Sequence, residues 1–121
     1  MNASPLAQIS VATAPHYVWG EVCDGWHLLR SPDLSVIQER MPPGTTEVRH
    51  LHRRARQFFY ILRGQLTVEC AGVLHVLGPL SGLEIPPLLA HRVFTESKEA
   101  AEFLVISQPP SHGDREPTPA A

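Results

Sequence analysis

The feature that most limits how this chain can fold is its punctuation. Between residues 16 and 108, short runs rich in Val, Ile, Leu, Phe and Thr are cut every 8–12 residues by Gly, Pro, Asp or Ser. Twelve prolines argue against any long helix, and Ser97–Ala101 could form one helical turn at most. Runs of this length separated by turn residues belong to an all-β sandwich or barrel. The expected strands are His16–Val22, Trp26–Arg30, Leu34–Met41, Val48–His52, Gln57–Arg63, Gln65–Cys70, Leu74–Leu77, Leu83–Ile85, Arg92–Thr95 and Glu102–Ser107. In the clearest of these, Leu66, Val68 and Cys70 face a core while Gln65, Thr67 and Glu69 face water, the period of two that a half-buried strand needs. Gly64 supplies a tight turn where a positive φ costs little.

A chain of 121 residues has the size of one domain. Residues 1–15 read as a flexible N-terminal arm, 16–108 as the β-barrel, and 109–121 as a proline-rich C-terminal tail, poorly ordered at its end. Composition is 43% hydrophobic, enough for a core, but only 18% charged. That lean charge suggests a covered surface, and a homodimer is expected. A net charge of −2 gives no reason to expect nucleic acid or anionic lipid as a partner. No run approaches the roughly 18 apolar residues of a membrane span. The first residues lack a basic n-region and an apolar h-region, so the cytoplasm is the expected compartment. Cys23 and Cys70 form no C-x-x-C motif and read as small buried hydrophobes.

Chemistry concentrates in Gly44-Thr-Thr-Glu-Val-Arg-His50-Leu-His52 and the following Gln57-Phe-Phe-Tyr-Ile-Leu-Arg-Gly64. Two histidines one residue apart on a strand point to the same face, and a stiff strand pre-orients both imidazoles. Neutral imidazole is the commonest ligand for Zn, Fe, Ni and Cu. The pair alone is weak evidence, because most such pairs are incidental. A third histidine, His91, follows Pro86 and Pro87 at the start of another strand, where a loop could deliver it to a barrel mouth.

With these residues in view, the chain resembles a small single-domain cupin. The family's first motif, G(X)5HXH(X)3–4E(X)6G, is matched by Gly44, His50, His52 and Gly64, with Gln57 at the glutamate position. Its second motif, G(X)5PXG(X)2H(X)3N, is matched only by Pro86 and His91; Leu80, Leu88 and Thr95 replace the two glycines and the asparagine. The resemblance implies a jelly-roll, double-stranded β-helix barrel in which His50, His52, Gln57 and His91 surround one divalent transition metal, Fe, Zn, Ni, Cu or Mn. Gln57 departs from the pattern: a neutral carbonyl oxygen replaces an anionic one. An all-neutral donor set holds hard ions such as Mn2+ less well and favours an anionic ligand in the open positions. It also leaves a metal-free barrel open as an alternative.

Arg49, Arg53, Arg54 and Arg56 form a basic cluster that reads as a solvated loop, with the alternative that one arginine grips a carboxylate or phosphate at the barrel mouth. Phe59 and Ile61 share parity with Gln57 and are expected to line the cavity, with Phe58 and Tyr60 facing the other way. Glu84 is a candidate inward acid, though a surface position is favoured. His16, His27, His75 and His112 have no motif context. The segment Ser111–Arg115 has no assigned chemistry. Three function classes follow. The first is a metal-dependent enzyme on a small organic substrate, anionic ones included, either dioxygenase-like or isomerase- or lyase-like. The second is a non-catalytic small-ligand-binding or sensing module, and the third a structural role with a vestigial pocket. Fold does not choose among them.

Overall fold

The computed structural model describes residues 6–119 and contains eleven strands and, among those residues, no helix. These are β1 (His16–Trp19), β2 (Cys23–Arg30), β3 (Ser35–Met41), β4 (His50–His52), β5 (Arg56–Arg63), β6 (Leu66–Cys70), β7 (Val73–Leu77), β8 (Gly82–Ile85), β9 (His91–Phe94), β10 (Ala101–Gln108) and β11 (Arg115–Pro117). Two antiparallel sheets face each other, a six-stranded one in the order β1-β2-β3-β10-β5-β8 and a five-stranded one in the order β11-β4-β9-β6-β7. This is the all-β class that the sequence rhythm implies, in the jelly-roll form that the family resemblance implies.

Alternation explains which side chains meet between the sheets. On β10, Ala101, Phe103, Val105 and Ser107 are buried while the residues between them are not. On β5, Gln57, Phe59 and Ile61 turn inward, with Phe58 exposed and Tyr60 half-buried. Met41, Leu66, Val68 and Val93 complete the core with Cys23 and Cys70, both free thiols. At one end of this apolar stack the inward positions become polar. Ser35, Ser107 and Gln57 stand in one row across β3, β10 and β5, and all three are buried.

Three local expectations need correction. The first strand stops at Trp19 and turns at Gly20, with β2 beginning at Cys23. Thr67 is buried rather than facing water, because β6 is interior to its sheet and Phe94 and Val76 flank Thr67 in register. Most consequentially, the segment read as a tail supplies β11, which pairs antiparallel with β4, Arg115 opposite His52 and Pro117 opposite His50. A proline is tolerated there because β11 is an edge strand.

Candidate metal centre and its cavity

The five-stranded sheet brings the histidines together. His50 on β4 is directly opposite His91 on β9, and His52 lies two residues further along the same face. All three are buried, and one ring nitrogen from each lies within 4.8 Å of the other two. Ring centroids are 4.5 Å apart for His50 and His91, and 5.0 Å for His50 and His52.

The hydrogen bonds decide which nitrogen each ring offers. Nδ1 lies 2.8 Å from the Val48 carbonyl in His50, 2.9 Å from the Asp114 carbonyl in His52, and 3.0 Å from the Leu89 carbonyl in His91. A carbonyl can only accept, so each Nδ1 carries the proton and each Nε2 keeps its lone pair. Arg115 Nη2, 3.3 Å from His50 Nδ1, donates instead to the same Val48 oxygen at 3.2 Å. Burial pushes the His50 imidazole down to about 3, and lowers His52 and His91 as well, against the opposing pull of their carbonyl partners. The rings are therefore neutral over the ordinary pH range, the form that binds a metal ion.

Gln57 reaches the same cavity from the opposite sheet. Its Nε2 donates to Ser107 Oγ at 3.1 Å, which fixes the amide and turns the carbonyl oxygen free. That oxygen and His91 Nε2 are both buried and have no hydrogen-bond partner. A buried orphan costs about 1–3 kcal/mol, and these two, one on His91 of the histidine cluster and one on Gln57, which lines the same cavity as His50 and His52, suit an occupant that accepts electron pairs. A divalent metal fits this donor set.

A cavity of about 960 Å3 opens beside His50, His52 and Gln57. Trp19, Ile37, Val48, Phe59 and Val105 give it apolar walls; Ile61 belongs to the core beneath and does not line it. Two carboxyls front it, Glu39 and Glu47. Glu47 braces β9, the strand of His91, with Oε1 accepting from the Val93 amide at 3.1 Å and lying 3.9 Å from His50 Nδ1. Glu39 belongs to a row built across three strands. Tyr17, Gly25 and Glu39 are register partners on β1, β2 and β3, and the Tyr17 hydroxyl donates to Glu39 Oε2 at 3.1 Å. Only a glycine allows that reach, since a Cβ at residue 25 would sit 2.2 Å from Tyr17 Cζ. Burial raises Glu39 to about 7; burial and then Glu39 raise Glu47 to about 8.

Several residues lie elsewhere than their sequence context suggests. Of the arginine cluster, none lines this cavity: Arg49 faces Glu69 at 3.8 Å, Arg53 pairs with Glu116 at 2.6 Å, and Arg56 lies 3.6 Å from Glu84. The arginines at the cavity are Arg30 and Arg115, neither within ion-pair distance of a carboxylate among the described residues. Glu84 is on the surface. His27 and His112, which carry no motif, also line the cavity, and His27 packs on Tyr17 with ring centroids 4.9 Å apart. Gly25, a glycine inside a strand, was the available signal for Tyr17 and Glu39. No comparable signal marks Asp114 or Arg115.

Known proteins resemble this chain in both sequence and fold. The Cupin domain family model matches residues 37–107. Probable oxidoreductase yanE of Aspergillus niger is 30% identical over 110 residues, covering 87% of this chain and 42% of that protein, so the chain spans less than half of this curated relative. Among solved structures, the polyketide cyclase RemF from Streptomyces resistomycificus superposes with a TM-score of 0.80 at 16% identity, covering 96% of this chain and 87% of that one. KdgF from a Halomonas species gives 0.79 at 17% identity, covering 86% and 94%. The structural likenesses bear on fold alone, but the family model spans more than half of the sequence and both histidine-bearing regions, so this chain belongs to the cupin family.

Proposed function

We propose that this protein is a metal-dependent cupin enzyme acting on a small organic anion, with His50, His52, His91 and Gln57 as the ligands of one divalent metal. The observation that carries the reading is the coincidence of three imidazoles proton-locked at Nδ1 with two buried, partnerless acceptor atoms, Gln57 Oε1 and His91 Nε2. When bound, the metal supplies Lewis-acid polarisation of a substrate oxygen, or redox chemistry if it is iron or copper. The chain's own residues do the rest. The apolar walls hold the substrate body and exclude water, while Arg30 and Arg115 offer guanidinium donors to an anionic group. Glu39, held by Tyr17, is the cavity carboxyl not engaged in supporting a histidine, and it is poised to hold or release a proton near neutrality.

An oxidative reaction draws support from the name of the Aspergillus niger relative, and isomerase- or lyase-like chemistry stays open beside it. The glutamine at residue 57 favours a second reading, a non-catalytic small-ligand-binding module, because it removes the carboxylate from the metal's immediate surroundings. Homodimerisation also remains part of the proposal: β7, at a sheet edge, exposes Val73, Leu74 and Val76.

Elemental analysis of purified protein tests the metal assignment. Wild type should carry a divalent metal, His52→Ala should lose most of it, and Gln57→Ala only part. Equal metal in wild type and His52→Ala would overturn the assignment. Turnover that a chelator abolishes separates an enzyme from a binding module.

A further inference from the structure

Two of the three histidines are steadied by their own chain neighbourhood, since Val48 and Leu89 each precede their histidine by two residues. His52 is different. Its Nδ1 proton goes to the carbonyl of Asp114, 62 residues away. That carbonyl is held in place by its own side chain. The Asp114 carboxylate accepts from three consecutive amides of the turn after β4, Arg53 at 3.2 Å, Arg54 at 3.0 Å and Ala55 at 2.9 Å. Glu116 adds a two-pronged pair to Arg53, at 2.6 and 3.1 Å, and the Thr118 amide donates to the Arg49 carbonyl at 3.0 Å. The same stretch walls the cavity through Pro110, Ser111, His112, Gly113 and Arg115.

We propose that residues 110–118 form a latch coupled to the metal site. Asp114, docked on the turn at residues 53–55, is a positioning residue that orients His52, so that metal affinity and closure of the cavity rise and fall together. The proposal rests on reading the histidine cluster as a metal site. Undocking the latch deprives His52 Nδ1 of its acceptor, frees the ring to rotate and change tautomer, and removes one cavity wall. Loss of such a supporting partner typically weakens metal binding 10–100-fold. By reciprocity, a metal that draws His52 into place must tighten the latch by the same factor. A ligand or partner that displaced the latch would open the cavity and loosen the metal in one event.

Cobalt(II) is the probe, because its visible d–d bands report ligand number and orientation directly. Co2+ affinity and spectrum are measured for wild type, Asp114→Ala and Asp114→Asn. The expected result is a 10–100-fold weaker affinity with altered bands in Asp114→Ala, and partial recovery in Asp114→Asn, whose amide oxygen still accepts from the turn. Hydrogen exchange at the Arg53, Arg54 and Ala55 amides in wild type, with and without Co2+, should show slower exchange in the metal-bound form and needs no variant to fold. Wild-type affinity and spectrum in Asp114→Ala, or exchange at those amides indifferent to Co2+, overturns the latch while leaving the metal assignment intact. Failure of wild type to take up Co2+ overturns both.

Discussion

Gln57 is the residue at which this chain departs most informatively from its family's pattern. Its amide is used at both ends: the nitrogen donates to Ser107 and the oxygen is left buried and free. A carboxylate there would keep the Ser107 contact by accepting from the hydroxyl and would present an anionic oxygen to the site. Gln57→Glu should therefore raise affinity for Mn2+ relative to Ni2+ by roughly tenfold, about 1.4 kcal/mol, since hard ions gain most from an anionic oxygen. Competition titrations check this, and an unchanged ratio would remove Gln57 from the ligand set. Glu39 carries the complementary lesson. Its chemistry is set by a hydroxyl two strands away and a cavity beside it. No pattern local to residues 37–41 announces either.

At the scale of elements, the row Tyr17–Gly25–Glu39 makes the sharpest prediction. A methyl at residue 25 would lie 2.2 Å from Tyr17 Cζ and 2.5 Å from its hydroxyl, so Gly25→Ala must push the ring off Glu39. The expected cost is about 1–3 kcal/mol, the range for overpacking a filled site. Burial and Glu39 together raise the Tyr17 pKa in wild type. Alkaline spectrophotometric titration should therefore show one of the two tyrosines returning toward ordinary behaviour in the variant; no change would mean Tyr17 does not depend on the glycine. The elements also divide by how legible they are in sequence. β5, Gly64 and β6 could be read directly, because alternation and a turn glycine are local signals; Gly64 has φ +76° and no space for a Cβ against the Ala100 carbonyl. His50, His52 and His91 were legible through motif spacing. β11 was not, for it is three residues long, fully exposed and ends in a proline. It exists because Asp114 finds three amides on a turn about sixty residues earlier, a long-range match that leaves no periodic trace.

The whole molecule gathers buried bases and half-buried acids around one cavity, and these set opposite pH limits on the metal-free protein. The histidines have native pKa values below the unfolded 6.5, His50 at about 3, so the unfolded chain binds more protons below pH 6.5 and stability falls as the medium is acidified. Glu39 and Glu47 behave inversely. Raised to about 7 and about 8 from 4.5, they keep protons in the native state that the unfolded chain has released, so stability falls as pH climbs through those values. Between about pH 4.5 and 6.5 the two effects oppose each other; below it only the histidines act, and above it only the acids. Thermal melts of chelator-treated protein should therefore lose stability as pH rises from about 6.5 to 8, where only the acids act, and again on an acid limb below about pH 4.5, where the depressed His50 acts. Glu39→Gln preserves an acceptor for Tyr17 but carries no ionisable group. It should leave the acid limb in place and gain about 1–2 kcal/mol over wild type at pH 8, after allowing for cavity water at Glu39. A wild-type profile that rose steadily to pH 9, or a Glu39→Gln profile parallel to it, would mean that these carboxyls ionise in the folded protein without cost and that Glu39 holds no proton near neutrality.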